Sequence, residues 1–171
     1  MDCNFPPLGW IKKAMTKLGI VTDFSYCSYT SAPNLALTST YQKLTVFDEL
    51  IPPVKVSLVN GDFTALAGGV FQWHLERIYQ NNDQNPSDPP VQLFIEVRKN
   101  SLPIFSRQAP MGSANSPSEP SIDTYSSPFI IKVDKGDVFN FWFKAEDGLG
   151  STPQNVSLTR VQLIANKIHN R

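Results

Sequence analysis

The stretch from Pro128 to Lys144, PFIIKVDKGDVFNFWFK, constrains this chain most. Phe129, Ile131 and Val133 alternate with Ile130, Lys132 and Asp134, the period of two expected of a strand with one face in a core. Lys135-Gly136-Asp137 then predicts a turn, because glycine reaches turn conformations at no steric cost and aspartate hydrogen-bonds its own backbone. Beyond it, VFNFWF is apolar on both faces, with Phe139, Phe141 and Phe143 on one and Val138, Asn140 and Trp142 on the other. The three phenylalanines are expected to fill a core. Trp142 is expected to lie against another subunit or a covering loop.

Other segments repeat the strand signal. Val54–Val59 places Val54, Val56 and Leu58 on one face and ends at Asn60-Gly61, a strong hairpin signal. Phe63–Leu66 predicts a short strand, and Val70–Tyr79 a long one with Phe71, Trp73, Leu75 and Tyr79 on one side against Gln72, His74 and Glu76. Only Arg77 breaks that alternation, and a bulge that substitutes Ile78 would repair it. Val91–Arg98 alternates again, and Lys99-Asn100-Ser101 turns into Leu102–Arg107, where Pro103 argues for an edge strand. Val156–Ile168 predicts a last strand whose imperfect phase at Leu158, Val161, Leu163 and Ile164 calls for a bulge. Leu35–Leu50 is rich in β-formers and predicts one or two strands broken near 38–40 and ended by Pro52-Pro53. The polar runs 80–90 and 108–127 predict exposed loops. About 8–10 strands at short spacing imply an all-β jelly-roll sandwich over 35–171.

Residues 1–34 read as a separate arm. In it Trp10, Ile11, Ala14, Met15 and Leu18 form one stripe opposite Lys12, Lys13 and Lys17, with Gly19 at the position of a C-cap. Such a short amphipathic helix, about nine residues, takes most of its stability from what it packs on. That is either its own domain or a larger assembly, and in the second case Trp10, Ile11, Met15 and Leu18 are the docking residues.

The 15 basic and 15 acidic residues cancel, so no long-range field recruits nucleic acid or an anionic membrane. Cys3 and Cys27 form no CxxC motif and are expected to be free thiols. MDCNFPPLGW lacks the basic start and apolar run of a secretory signal, and no segment approaches a membrane span of about 18 apolar residues, so synthesis in a cytoplasm without general secretion is expected. Catalytic triads need histidine, and His74 and His169 are the two present. One sits on the polar face of a predicted strand and the other at the end of the chain, so neither reads as catalytic. Cys and His lack zinc-site spacing, the loop acids lack a calcium-loop pattern, and no enzyme activity, metal or cofactor is expected.

In order, three motifs resemble the trimeric jelly rolls of the tumour necrosis factor and complement globular-head superfamily. GGVFQWHL resembles the G-x-Tyr/Phe-x-Phe strand through Gly69, Phe71 and Trp73. VQLFIEVRKNS resembles the following strand and its x-N-G turn, with Ser101 in place of glycine. IIKVDKGDVFNFWF resembles the Leu-x-x-Gly-Asp-x-Val strand pair through Val133, Gly136, Asp137 and Phe139. The resemblance spans roughly residues 35–168, and LTSTYQKLTVFDEL resembles phage versions of the fold. It implies a homotrimer with Trp142, Phe94 and Tyr79 near the three-fold axis. It further implies a non-enzymatic bacteriophage virion protein that decorates or cements a capsid, or caps a fibre or tail component. Its partners would be itself and major capsid or tail proteins. The alternative is a host-receptor or surface-glycan module, reading its ligand with Asn115, Asp123 and Tyr125.

Overall fold

Apolar residues that alternate along the sequence line the space between two sheets. The computed structural model describes residues 26–82, 90–111, 121–153 and 155–169. Twelve strands occur among them: β1 (Tyr26–Ser31), β2 (Leu35–Ala36), β3 (Gln42–Lys43), β4 (Asp48–Val54), β5 (Val56–Val59), β6 (Asp62–Ala65), β7 (Gly69–Asn81), β8 (Val91–Lys99), β9 (Leu102–Met111), β10 (Ser121–Val133), β11 (Val138–Glu146) and β12 (Val156–His169). The first sheet runs β10-β7-β12-β1-β4 with β2 beside β12, and the second runs β5-β6-β11-β8-β9 with β3 beside β11. Every pairing is antiparallel. The chain crosses repeatedly from sheet to sheet, and the expected all-β jelly-roll sandwich is what forms.

The centre of the sandwich is aromatic. Phe63 meets Tyr29, Phe47 and Phe141 edge-on with ring centroids 5.0–5.7 Å apart, and Trp73 packs on Phe139 and Phe141. Phe139, Phe141 and Phe143 are all buried, as their spacing predicts. Edge-to-face pairs of this kind add to the hydrophobic gain of burial because the positive ring edge meets the negative face.

The Gly136-Asp137 turn is a structural knot. Asp137, buried to 8% exposure, accepts hydrogen bonds from the Asp134 amide (2.7 Å), Lys99 Nζ (2.9 Å) and Asn100 Nδ2 (2.8 Å). Asn100 in turn accepts from the Val138 amide at 2.9 Å. The β10–β11 turn is thereby tied to the β8–β9 turn, where Asn100 and Ser101 both have positive φ, 51° and 71°. Asn60 and Gly61 form the β5–β6 hairpin with φ of 49° and 75°, the signature of a type I′ turn. A Cβ on Gly61 would lie 2.1 Å from the Leu44 carbonyl oxygen.

Several expectations are corrected. β1 belongs to the first sheet between β12 and β4, so the arm cannot extend to residue 34. Pro52-Pro53 does not end a strand, because β4 is an edge strand and needs no ladder donor there. Val54 and Val56 do not share a strand: Lys55, at φ 57°, carries the chain from the first sheet to the second. The polar run 108–127 is strand at both ends, through Met111 and again from Ser121. Arg77 needs no bulge, since β7 pairs β10 without a register shift and the side chain turns inward. The bulge expected in the last strand does occur, between Leu158 and Arg160. Pro103 lies on the edge strand β9, as expected. The predicted helix with Trp10, Ile11, Met15 and Leu18, and Asn115, lie outside the described residues.

Candidate functional site: two sheet faces and an edge cavity

The outer face of the second sheet carries alternating cations and rings. Trp142 is half-buried, with the Arg98 guanidinium 4.1 Å above its ring, and Arg98 also lies 5.9 Å from the Tyr41 ring. Lys144 Nζ sits 4.4 Å from the Phe94 ring and 5.0 Å from Tyr41. Glu96 pairs with Arg98 and Glu146 with Lys144. The indole N–H of Trp142 donates to Asn140 Oδ1 at 2.8 Å, and Asn140 donates to Asp62 at 2.9 Å, which also receives Lys43 at 2.7 Å. Burial raises the Asp62 pKa, but the bonds from Lys43 and Asn140 outweigh it and hold the carboxyl below its ordinary value. Burial, followed by the charge of Glu96, pushes the Tyr41 hydroxyl up. The cover expected for Trp142 thus comes in part from its own chain, through Arg98.

The outer face of the first sheet differs in kind. Across neighbouring strands, Pro128 lies opposite His74, His74 opposite Ile164, Ile164 opposite Ser28 and Ser28 opposite Ile51. One row further on, Ile130 lies opposite Gln72 and Gln72 opposite Asn166. Ile130 is 63% exposed, and Ile51, Val54, Ile122 and Ile168 are also exposed. Around them stand the uncharged polar side chains Gln72, Ser126, Gln162 and Asn166, with Glu76 between Ser126 and Gln162 and Lys132 and Arg160 further along the strands. His74 Nε2 lies 3.2 Å from Ser126 Oγ on this open face, and His169 stands at the far end of β12, opposite Val70. Among the described residues no group of three or more His, Cys, Asp or Glu side chains is disposed to hold a metal, and no helix is long and apolar enough to cross a membrane.

Tyr79, expected at a subunit contact, is 2% exposed inside its own sandwich and so has no surface to give a neighbour. Burial raises its hydroxyl pKa. Tyr125 and Asp123 are not loop residues: both lie on β10. The Tyr125 ring meets Tyr79 edge-on at 6.0 Å, and its hydroxyl donates to the Pro110 carbonyl. These residues approach a cavity between β9 and β10, where the open edges of the two sheets meet. Sequence reasoning missed that cavity, although an arginine at an inward position of a core strand was its signal.

No family model matches the chain, and no curated protein matches it. Among solved structures, it is similar to murine APRIL at pH 5.0, with a TM-score of 0.49 and 6% identity over 83% of this chain and 98% of that one.

Proposed function

We propose that this chain is a non-enzymatic structural protein of a bacteriophage particle, a homotrimeric jelly roll that decorates or cements the capsid or caps a fibre or tail component. The observation that carries the self-association is the outer face of the first sheet, where Ile51, Val54, Ile122 and Ile130 stand exposed on the two edge strands. Scattered surface hydrophobes are ordinary, but apolar residues on both edge strands of one sheet face, β10 and β4, with Ile164 of β12 between them, suit a protein–protein contact. Trp142 and Phe94 are less available, since a neighbour would have to replace the cation contacts of Arg98 and Lys144. The phage setting rests on the motif resemblance, and residues 1–25 are the segment assigned to docking on the particle.

Deletion should stop at residue 25, because residue 26 opens β1. The shortened protein should remain a folded trimer that no longer cosediments with particles. If it still decorates them, the docking assignment fails. A glycan-binding reading finds support in the rings of Tyr41, Trp142 and Phe94 on the second sheet's outer face. It predicts saturable glycan binding that Trp142→Ala abolishes, and a flat response on a glycan array would remove it.

A further inference from the structure

The edge cavity holds a cation for which the described residues supply no carboxylate. Arg77 is 4% exposed, and its Nε and Nη1 are buried with no hydrogen-bond partner among the described residues; the hydroxyl of Ser127, 1% exposed, likewise has none among them. Both side chains line a cavity of about 90 Å³ together with Arg107, Gln108 and Tyr125. Among the described residues no carboxylate lines it. A guanidinium keeps its charge at any ordinary pH, and a buried charge without a partner is strongly unfavourable. Here a second arginine adds like-charge repulsion. Asp123, one inward position beyond Tyr125 on β10, does not line the cavity.

We propose that this cavity binds a small carboxylate, held between the guanidinium groups of Arg77 and Arg107 with the Ser127 hydroxyl as a further donor. The planar guanidinium fork matches the two oxygens of a carboxylate. The opposite wall is apolar, formed by Leu93, Ile95 and Tyr79, so a methyl group behind the carboxylate is accommodated there. The volume limits the ligand: at about 30 Å³ per water, the cavity of about 90 Å³ corresponds to roughly three waters, enough for acetate and too little for a nucleotide. The site depends on strand register. Arg77 faces inward because β7 runs without a bulge, and Ser127 stands on the same inner face of β10, opposite Leu75.

The test titrates the full-length chain with sodium acetate, sodium phosphate and sodium chloride at constant ionic strength, by calorimetry and by thermal unfolding. Acetate should bind once per chain and raise Tm with the logarithm of its concentration, while chloride should do neither. Arg107→Gln, at an exposed position, should weaken acetate at least tenfold without altering the fold. Arg77→Met should abolish binding, and if that variant does not fold, Arg107→Gln carries the test alone. Equal stabilisation by chloride, no response to acetate, or unchanged affinity in Arg107→Gln would overturn the site. Tighter binding of phosphate than of acetate would overturn its assignment to a carboxylate.

Discussion

Asp137→Ala tests the knot that joins the two turns. Asp137 accepts three hydrogen bonds, from the Asp134 amide, Lys99 Nζ and Asn100 Nδ2, at 2.7–2.9 Å. Hydrogen bonds to charged groups contribute about 1.5–3 kcal/mol each. Two adjustments reduce the sum. The Lys99 side chain is 27% exposed, so water screens and replaces that contact, which is worth at most about 1 kcal/mol. Asn100 keeps its bond to the Val138 amide, which limits how far its side chain is stranded. The Asp134 amide loses its carboxylate partner altogether. A loss of about 3 kcal/mol follows, and at roughly 2–4 °C per kcal/mol for a domain of this size it corresponds to a Tm lower by about 6–12 °C. Urea denaturation with a shared m value and differential scanning calorimetry measure it directly. Asp137→Asn, which keeps one acceptor oxygen, should recover part of the loss. An Asp137→Ala cost below about 0.5 kcal/mol, typical of an ordinary surface site, would refute the knot.

Ser101 holds φ of 71° without being glycine, so Ser101→Gly should stabilise the protein by about 0.5–1 kcal/mol in urea unfolding; a loss of stability would contradict the turn geometry. Burial pushes the Cys27 thiol from 9.0 to about 12. The folded state therefore holds that proton more tightly than the unfolded chain, and the resulting stability is full below pH 9 and lost as pH rises towards 12. Between pH 9 and 10 the wild type should lose about 1 kcal/mol, and Cys27→Ala should lose less over the same interval, as read by unfolding at both pH values. Equal losses would refute the assignment. Trp142→Ala should cost about 1–2 kcal/mol in unfolding through lost area and the Arg98 contact while leaving the oligomer mass unchanged; Ile130→Asp should lower that mass with little effect on folding. The reverse pattern would move the subunit contact to the Trp142 face.

The strands most clearly legible are those whose inner face is apolar. β8 and β11 alternate cleanly because Leu93, Ile95 and Val97 stand opposite Ala145, Phe143 and Phe141 on the buried face of the second sheet. The first half of β10 was invisible for a physical reason. Its inward positions Ser121, Asp123, Tyr125 and Ser127 are mostly polar because that end of the sandwich holds Arg77 and the cavity rather than hydrocarbon. Pro128 added a false stop signal, harmless on an edge strand. β1 was lost to the arm because YCSYTS is short and polar in composition, although Cys27 and Tyr29 are buried in the core. Arg77 misled most: hydropathy alone places an arginine outside, whereas strand register places it inside. The subunit-contact expectation failed for Tyr79 on the same logic, since strand period assigns a face but does not say whether that face meets the core or a neighbour.

The central claim is self-association through the outer face of the first sheet. Multi-angle light scattering of the full-length chain at micromolar concentration tests it most directly. With a chain mass of 19.1 kDa, a trimer gives three times that, about 57 kDa, by closed cyclic association. A mass of 19.1 kDa that persists up to concentrations of about 100 µM, where even a weak contact would be populated, would contradict the account.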